Sequence, residues 1–274
     1  MMKSELQNKL RTLADKYECA SFCDQDPSQF LKHYKNVSDA TVADTEAASF
    51  IAAMLAFGSR TQFIPKINEI LQMADSSAGT ISKWLADGRF KKDFPHGDKK
   101  FYRFYSYDDI QIFFEELAQI IKKSGSLGEH FRKEWEGAGG IPTSGATPTK
   151  ACTPTVSLSQ IISSCFPKSR IVPKGKNSAN KRIHMFLRWM VRQNSPVDLG
   201  IWSWYPQSQL LIPLDVHVMQ QAVELGLIPP NATASNKTAH LLTDQMKQIF
   251  PNDPSRADYA LFGLGVDLGI AEKI

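Results

Sequence analysis

Pro-Leu-Asp-Val-His-Val-Met-Gln-Gln-Ala-Val-Glu-Leu-Gly-Leu-Ile, residues 213–228, is the stretch on which the fold turns. Pro213 cannot donate to a helix or a central strand, so it ends whatever precedes it. Asp215 follows at the place where a short carboxylate accepts from the first free amides of a helix. Val216, Met219, Val223 and Leu227 then recur at helical spacing and are expected on the buried side. As an N-cap, Asp215 has a purely structural duty. As a carboxylate held ionised at a helix N-terminus, it can stabilise developing positive charge or take a proton from a nucleophile. Local sequence leaves both open.

Upstream, residues 173–182 read Pro-Lys-Gly-Lys-Asn-Ser-Ala-Asn-Lys-Arg. A Gly-containing turn with Asn177, Ser178 and Asn180 leads into a helix from about Lys181. The free amides of such a helix start bind phosphate. Lys174, Gly175, Lys176, Ser178 and Arg182 are therefore candidate contacts to a nucleic-acid backbone. Lys181, His184, Arg188 and Arg192 share one face at i, i+3, i+7 and i+11, opposite Ile183, Phe186, Leu187 and Met190. That face is expected to be polar, basic and open to a ligand, with Arg188 a further backbone contact. A lysine at a helix start is opposed by the dipole and by the neighbouring Lys176 and Arg182. Its pKa should fall, leaving an amine able to form a Schiff base. The plain alternative is a lysine that contacts phosphate.

The charge distribution points the same way. The 274 residues carry a net charge of +4, with 42% hydrophobic and 22% charged residues, ordinary values for a globular protein. Between Gly137 and Val197 there is no Asp or Glu, yet nine Lys and Arg. The remainder holds 23 basic and 28 acidic residues. A basic segment embedded in an acidic chain suggests a polyanion partner, against the alternative of a solvated basic surface. The apolar run Phe50–Phe57 is too short to cross a bilayer, and the Met-Met-Lys-Ser-Glu start does not read as a signal peptide. Cys19, Cys23, Cys152 and Cys165 lack metal-ligand spacing, so reduced thiols, a cytoplasmic location and no zinc or iron–sulfur cofactor are expected. His217, two residues beyond Asp215, does not by itself complete a metal site.

Elsewhere helical periodicity dominates, as in Leu158, Ile161, Ile162 and Cys165, and the fold class expected is all-α. Ser106 and Asp109 form a capping-box pattern ahead of Ile110, Phe113, Phe114 and Leu117. Residues 137–155, rich in Gly, Pro, Ser and Thr, read as a flexible loop. Strand alternation is nearly absent.

The run Pro213–Ile228 resembles the helix-hairpin-helix DNA glycosylase signature, a Val-Asp-Thr-His-Val-like motif followed by Arg-Leu-Gly-Leu. In that family the Asp is catalytic and a lysine lies upstream, just after a Gly-containing hairpin. The resemblance maps these roles onto Asp215 and Lys181. Their 34-residue separation is similar to the archaeal 8-oxoguanine glycosylase branch. Ala-Phe-Gly-Ser-Arg-Thr-Gln, residues 56–62, is similar to the family's Leu-Ser-Gln-Gln-Thr segment beside the damaged strand, which makes Arg60 and Gln62 possible DNA contacts. Tyr259–Gly265 resembles the family's late Gly-bearing helix. A narrower resemblance, over nearly the whole chain, is to a bacterial family of unknown function marked by the Lys181–Arg192 and Leu211–Val218 runs. The hairpin departs from the usual Leu-Pro-Gly-Val-Gly, since Val172–Lys176 keeps only Gly175, and the iron–sulfur cysteines of some members are missing.

The resemblance implies two helical lobes with a cleft between them. One would run over residues 44–192 and carry Lys181; residues 1–43 with 193–274 would form the other and carry Asp215. It implies a monomeric base-excision repair enzyme, a glycosylase/AP lyase acting on duplex DNA with an oxidised purine as substrate. The alternative is a DNA- or RNA-binding protein without catalysis. Such an enzyme holds an extruded base, often by stacking, and Trp202 and Trp204 are the expected pocket wall. Tyr102, Arg103 and Phe104 offer stacking and phosphate-binding groups as well, or simple packing.

Overall fold

The computed structural model describes residues 4–142 and 156–267, the side chains of Gln25, Val266 and Asp267 excepted. Helices dominate it. They are α1 (Ser4–Tyr17), α2 (Val42–Leu55), α3 (Arg60–Ala78), α4 (Ile81–Ala86), α5 (Phe90–Asp93), α6 (Tyr107–Ser124), α7 (Leu127–Gly137), α8 (Leu158–Ser164), α9 (Lys181–Val191), α10 (Val216–Glu224), α11 (Asn236–Met246) and α12 (Ala257–Asp267). The strands described are β1 (Lys100–Tyr102) and β2 (Tyr105–Ser106), an antiparallel hairpin. Five residues of strand between helices are too few to show an alternating pattern, which is why periodicity passes over them. Of the loop expected over 137–155, Gly137 still belongs to α7, and residues 143–155 lie outside the described residues.

Packing divides the chain into two compact units. Residues 26–174 form a contiguous one; residues up to 25 and from 175 onward form a discontinuous one. In the contiguous unit, α2 is buried along almost its whole surface, not along one stripe, so it is the central helix. Phe50 on it stacks on Phe166 at 5.1 Å. Trp84, Phe90, Phe94 and Phe114 meet edge to face nearby. The expected cap of α6 is present: Ser106 Oγ accepts from the Asp109 amide at 3.1 Å, and Asp109 returns the bond to the Ser106 amide at 3.0 Å.

In the discontinuous unit, α1 and α10 both pack on α12. Leu10, Leu13, Val218, Ala222, Leu242, Met246, Ala260 and Leu261 lie in one core. The boundary therefore falls at 174/175, earlier than the 192 that the sequence reading placed. Three contacts account for it: Asn236 N–H donates to the Asn177 carbonyl at 2.8 Å, Ala179 lies in the core just described, and Arg188 and Arg192 are bound inside this unit. On α10 the buried residues are Val218, Gln221 and Ala222, whereas Val216 is exposed. The helix begins one residue after its cap, which turns Val216 outward.

Gly263 on α12 exists for the close approach of α1. A methyl group there would stand 2.0–2.5 Å from ring atoms of Tyr17. Gly263→Ala should cost about 1–3 kcal/mol by urea unfolding, despite the better helix propensity of Ala. In a Tyr17→Ala background the same change should turn stabilising, by about 1 kcal/mol. An unchanged sign would show that the ring yields freely.

Candidate active site

Lys181 and Asp215 meet inside the discontinuous unit, not one on each of two lobes across a cleft as expected, because the chain changes unit at 174/175, ahead of Lys181. Lys181 is the first residue of α9 and Asp215 the N-cap of α10, and Nζ lies 2.9 Å from Oδ2. The second carboxylate oxygen, Oδ1, accepts from the Val218 amide at 2.9 Å, so cap and ion pair use different oxygens. Burial alone would raise the Asp215 pKa. The Lys181 charge, the Val218 amide, the Lys181 hydrogen bond and the His217 ring together hold it below the usual carboxylate range. The pair is half-buried, its side chains 37% and 23% exposed. A second carboxylate stands near: Asp258, in the first turn of α12, feels both Asp215 and Lys181. Burial pushes its pKa up to about 6, against the pull of the Arg188 guanidinium it pairs with. Nothing local in the sequence marks Asp258, because its neighbours come from α9 and α10 rather than from its own helix.

The turn ahead of α9 is tight. Asn180 takes a left-handed conformation (φ 46°), and its side-chain amide donates to the Gly175 carbonyl at 2.9 Å. A Cβ on Gly175 would come within 2.8 Å of that of Ser178, so glycine is required by close approach. Lys176 and Ser178 are exposed here and Arg182 is half-buried. Lys174, at the end of the contiguous unit, is exposed and donates to the Pro167 carbonyl at 2.7 Å. Arg60 and Gln62 belong to that unit too. Arg60 opens α3, 3.7 Å from Asp26, and Gln62 is exposed.

Three expectations need correction. Arg188 is no DNA contact: it is 3% exposed and bound to Asp198 at 3.3 Å and to Asp258. The open basic face of α9 does not exist either. Arg192, 2% exposed, binds Glu18 and Asp253, each at 2.8 Å, and also Asp198, while His184 is buried. Asp198 stands just past the end of the acid-free run, and Glu18, Asp253 and Asp258 lie more than sixty residues away in sequence, so the run itself holds no hint of them. Trp202 and Trp204 are buried as well, with ring centres 5.5 Å apart; Trp202 meets Phe186 edge to face. They are core residues of this unit rather than an open wall.

Burial pushes the His184 pKa down to about 4, with His240 adding repulsion, and its Nδ1 has no partner. Its folded value is below that of the unfolded chain, near 6.5, so the unfolded state takes up the proton first. Stability from this residue is intact above about pH 6.5 and drains away as pH falls toward 4. The difference in unfolding free energy between wild type and His184→Leu should shrink by about 3 kcal/mol over that window. A difference independent of pH would mean that the imidazole is solvated. Asp258, shifted upward, acts with the opposite sign, so the comparison with the variant is needed to isolate the histidine.

Fold and site thus define an all-helical protein with a lysine–carboxylate pair set at two helix starts. A family model described as "Protein of unknown function (DUF2400)" matches residues 26–267, and the chain belongs to that family. No curated protein and no solved structure matches it. Among the described residues, no helix is long and apolar enough to cross a membrane, and no cluster of three or more His, Cys, Asp or Glu side chains is placed to hold a metal ion.

Proposed function

We propose that the protein is a DNA glycosylase/AP lyase that works through Lys181 and Asp215, with a lobed helix-hairpin-helix architecture as the resemblance implies. One observation carries the reading: an amine and an ionised carboxylate, 34 residues apart in sequence, stand 2.9 Å from each other at the starts of two helices. Asp215 accepts a proton from the Lys181 ammonium. The freed amine adds to C1′ of an extruded nucleotide as the C1′–base bond breaks; its electron pair leaves with the base, which takes up the proton from Asp215. The C1′–O4′ bond then opens as the lysine nitrogen passes one proton to O4′, leaving a protonated Schiff base. Asp215, ionised again, takes the C2′ proton, and the electron pair of that bond expels the 3′ phosphate, cutting the strand. Gly175, Lys176, Ser178 and Arg182 are the proposed backbone contacts beside α9; Lys174, Arg60 and Gln62, on the contiguous unit, are proposed DNA contacts of that unit by itself. The oxidised purine rests on the resemblance alone.

The test is borohydride trapping on duplexes carrying an abasic site or 8-oxoguanine. A covalent protein–DNA adduct is the expected result. Binding without an adduct on either substrate overturns the lyase. The salt bridge itself favours a second reading, in which Lys181 is a fixed phosphate contact of a non-catalytic nucleic-acid binder.

A further inference from the structure

The contiguous unit carries a surface that the Lys181 chemistry does not use. The β1–β2 hairpin pairs Tyr102 with Tyr105, leaving Arg103 and Phe104 as a two-residue connection. Arg103 has φ 52°, at a turn position where glycine is the usual choice and a side chain costs about five- to thirty-fold in population. Phe104 is 57% exposed, the highest value among the large apolar side chains described. A lone exposed ring would mean little. This one is the outer member of a cluster: its centre lies 4.5 Å from Tyr105 and 5.4 Å from Phe57, which meets Tyr102 at 5.1 Å.

The cluster is seated firmly. Tyr102 Oη donates to the Phe57 carbonyl, and Gly58 (φ 80°) leaves room for the hairpin. A Cβ there would fall 2.4 Å from the Arg103 guanidinium and 2.9 Å from Tyr102 Oη. The Arg103 guanidinium lies over the Phe57 ring at 5.9 Å. Arg170, largely exposed, gives its backbone carbonyl to the Tyr105 hydroxyl at 3.3 Å, while its guanidinium pairs with Asp109 at 3.6 Å. Lys99 and Lys100 are exposed on the approach to the tip. One exposed aromatic face, backed by buried rings and flanked in the turn by a guanidinium, matches a nucleobase and its phosphate: Phe104 offers the stacking face and Arg103 meets the backbone.

We propose that the hairpin tip is a nucleobase-stacking site, in which Phe104 stacks on an unpaired base while Arg103 neutralises the adjoining phosphate. This rests on nucleic acid being the partner, as in the reading above, but not on Schiff-base chemistry.

The test uses the full chain and duplex oligonucleotides with one unpaired 2-aminopurine, against fully paired controls. Wild type should quench the 2-aminopurine emission and bind the unpaired duplex more tightly. Phe104→Ala should abolish the quenching and weaken binding about tenfold, whereas Phe104→Trp should preserve both. Arg103→Gly separates function from fold, because it should raise the unfolding midpoint by removing the positive-φ strain and yet weaken binding severalfold. Quenching and affinity unchanged in Phe104→Ala would overturn the proposal and mark the tip as a protein contact or a plain turn. So would a failure of wild type to bind either oligonucleotide at low salt. Stacking without a borohydride adduct sinks the lyase alone; an adduct that survives Phe104→Ala with unchanged affinity sinks this inference alone.

Discussion

Lys181→Gln is expected to leave no borohydride-trapped adduct on an abasic duplex and to slow strand cleavage by about 10^3-fold or more. Glutamine is close in size and still donates hydrogen bonds, so the start of α9 should survive, as should much of the DNA affinity. Asp215→Asn is the companion variant. Asn caps helices about as well as Asp, so the Val218 amide keeps its acceptor and stability should change by less than about 1 kcal/mol. It cannot take the lysine's proton, and cleavage should fall by about 10^2- to 10^4-fold. If the two act as a unit, the double variant is no slower than Lys181→Gln alone. Cleavage that survives Lys181→Gln at the wild-type rate would remove the lyase. A salt dependence shallower by about one ion, with no chemistry in either protein, would instead establish Lys181 as a phosphate contact.

Arg192→Leu is expected to destabilise the discontinuous unit by about 3–5 kcal/mol. Arg192 closes a buried cluster in which Asp198 also accepts from the Tyr259 hydroxyl at 3.0 Å, and Glu18 binds Arg256 at 2.7 Å. Burial alone would raise the Glu18 pKa; Arg192 and Arg256 keep it below its usual range. Removing the guanidinium strands Glu18, Asp198 and Asp253 without their shared counter-charge, and at least one must take up a proton. The loss should therefore be greatest near neutral pH and smaller in acid, where Glu18 takes up a proton in the wild type as well. Arg192→Lys should recover only part of it, since one ammonium cannot reach three carboxylates in different directions. A cost under 1 kcal/mol in urea unfolding would show that water enters the cluster.

Residue by residue, the sequence is informative where the signal is local. The start of α10 at Asp215 and the start of α9 at Lys181 are both visible from capping and turn chemistry, and so is the Ser106–Asp109 cap. The meeting of Lys181 with Asp215 was legible through the resemblance, not through spacing. Arg188 and Arg192 are misread for a physical reason: a cation's surroundings depend on Glu18, Asp253 and Asp258, which only the fold brings close, and on Asp198, which lies just outside the acid-free run. Trp202 and Trp204 fail likewise, because an aromatic residue suits a pocket wall and a packed interior equally well. The hairpin bearing Phe104 is too short to register as strand at all.

The pairing of α1 with α12 sets an order of events during synthesis. α1 leaves the ribosome first, but its buried side, with Leu10, Leu13 and Ala14, must wait for α12, which begins at residue 257. At roughly 5–20 residues per second, that wait lasts on the order of ten to fifty seconds. Residues 26–174 are contiguous and can complete their own core in the interval. A nascent chain stalled before α12 should therefore present a packed body preceded by a sticky amphipathic segment, the kind of surface that holdase chaperones bind.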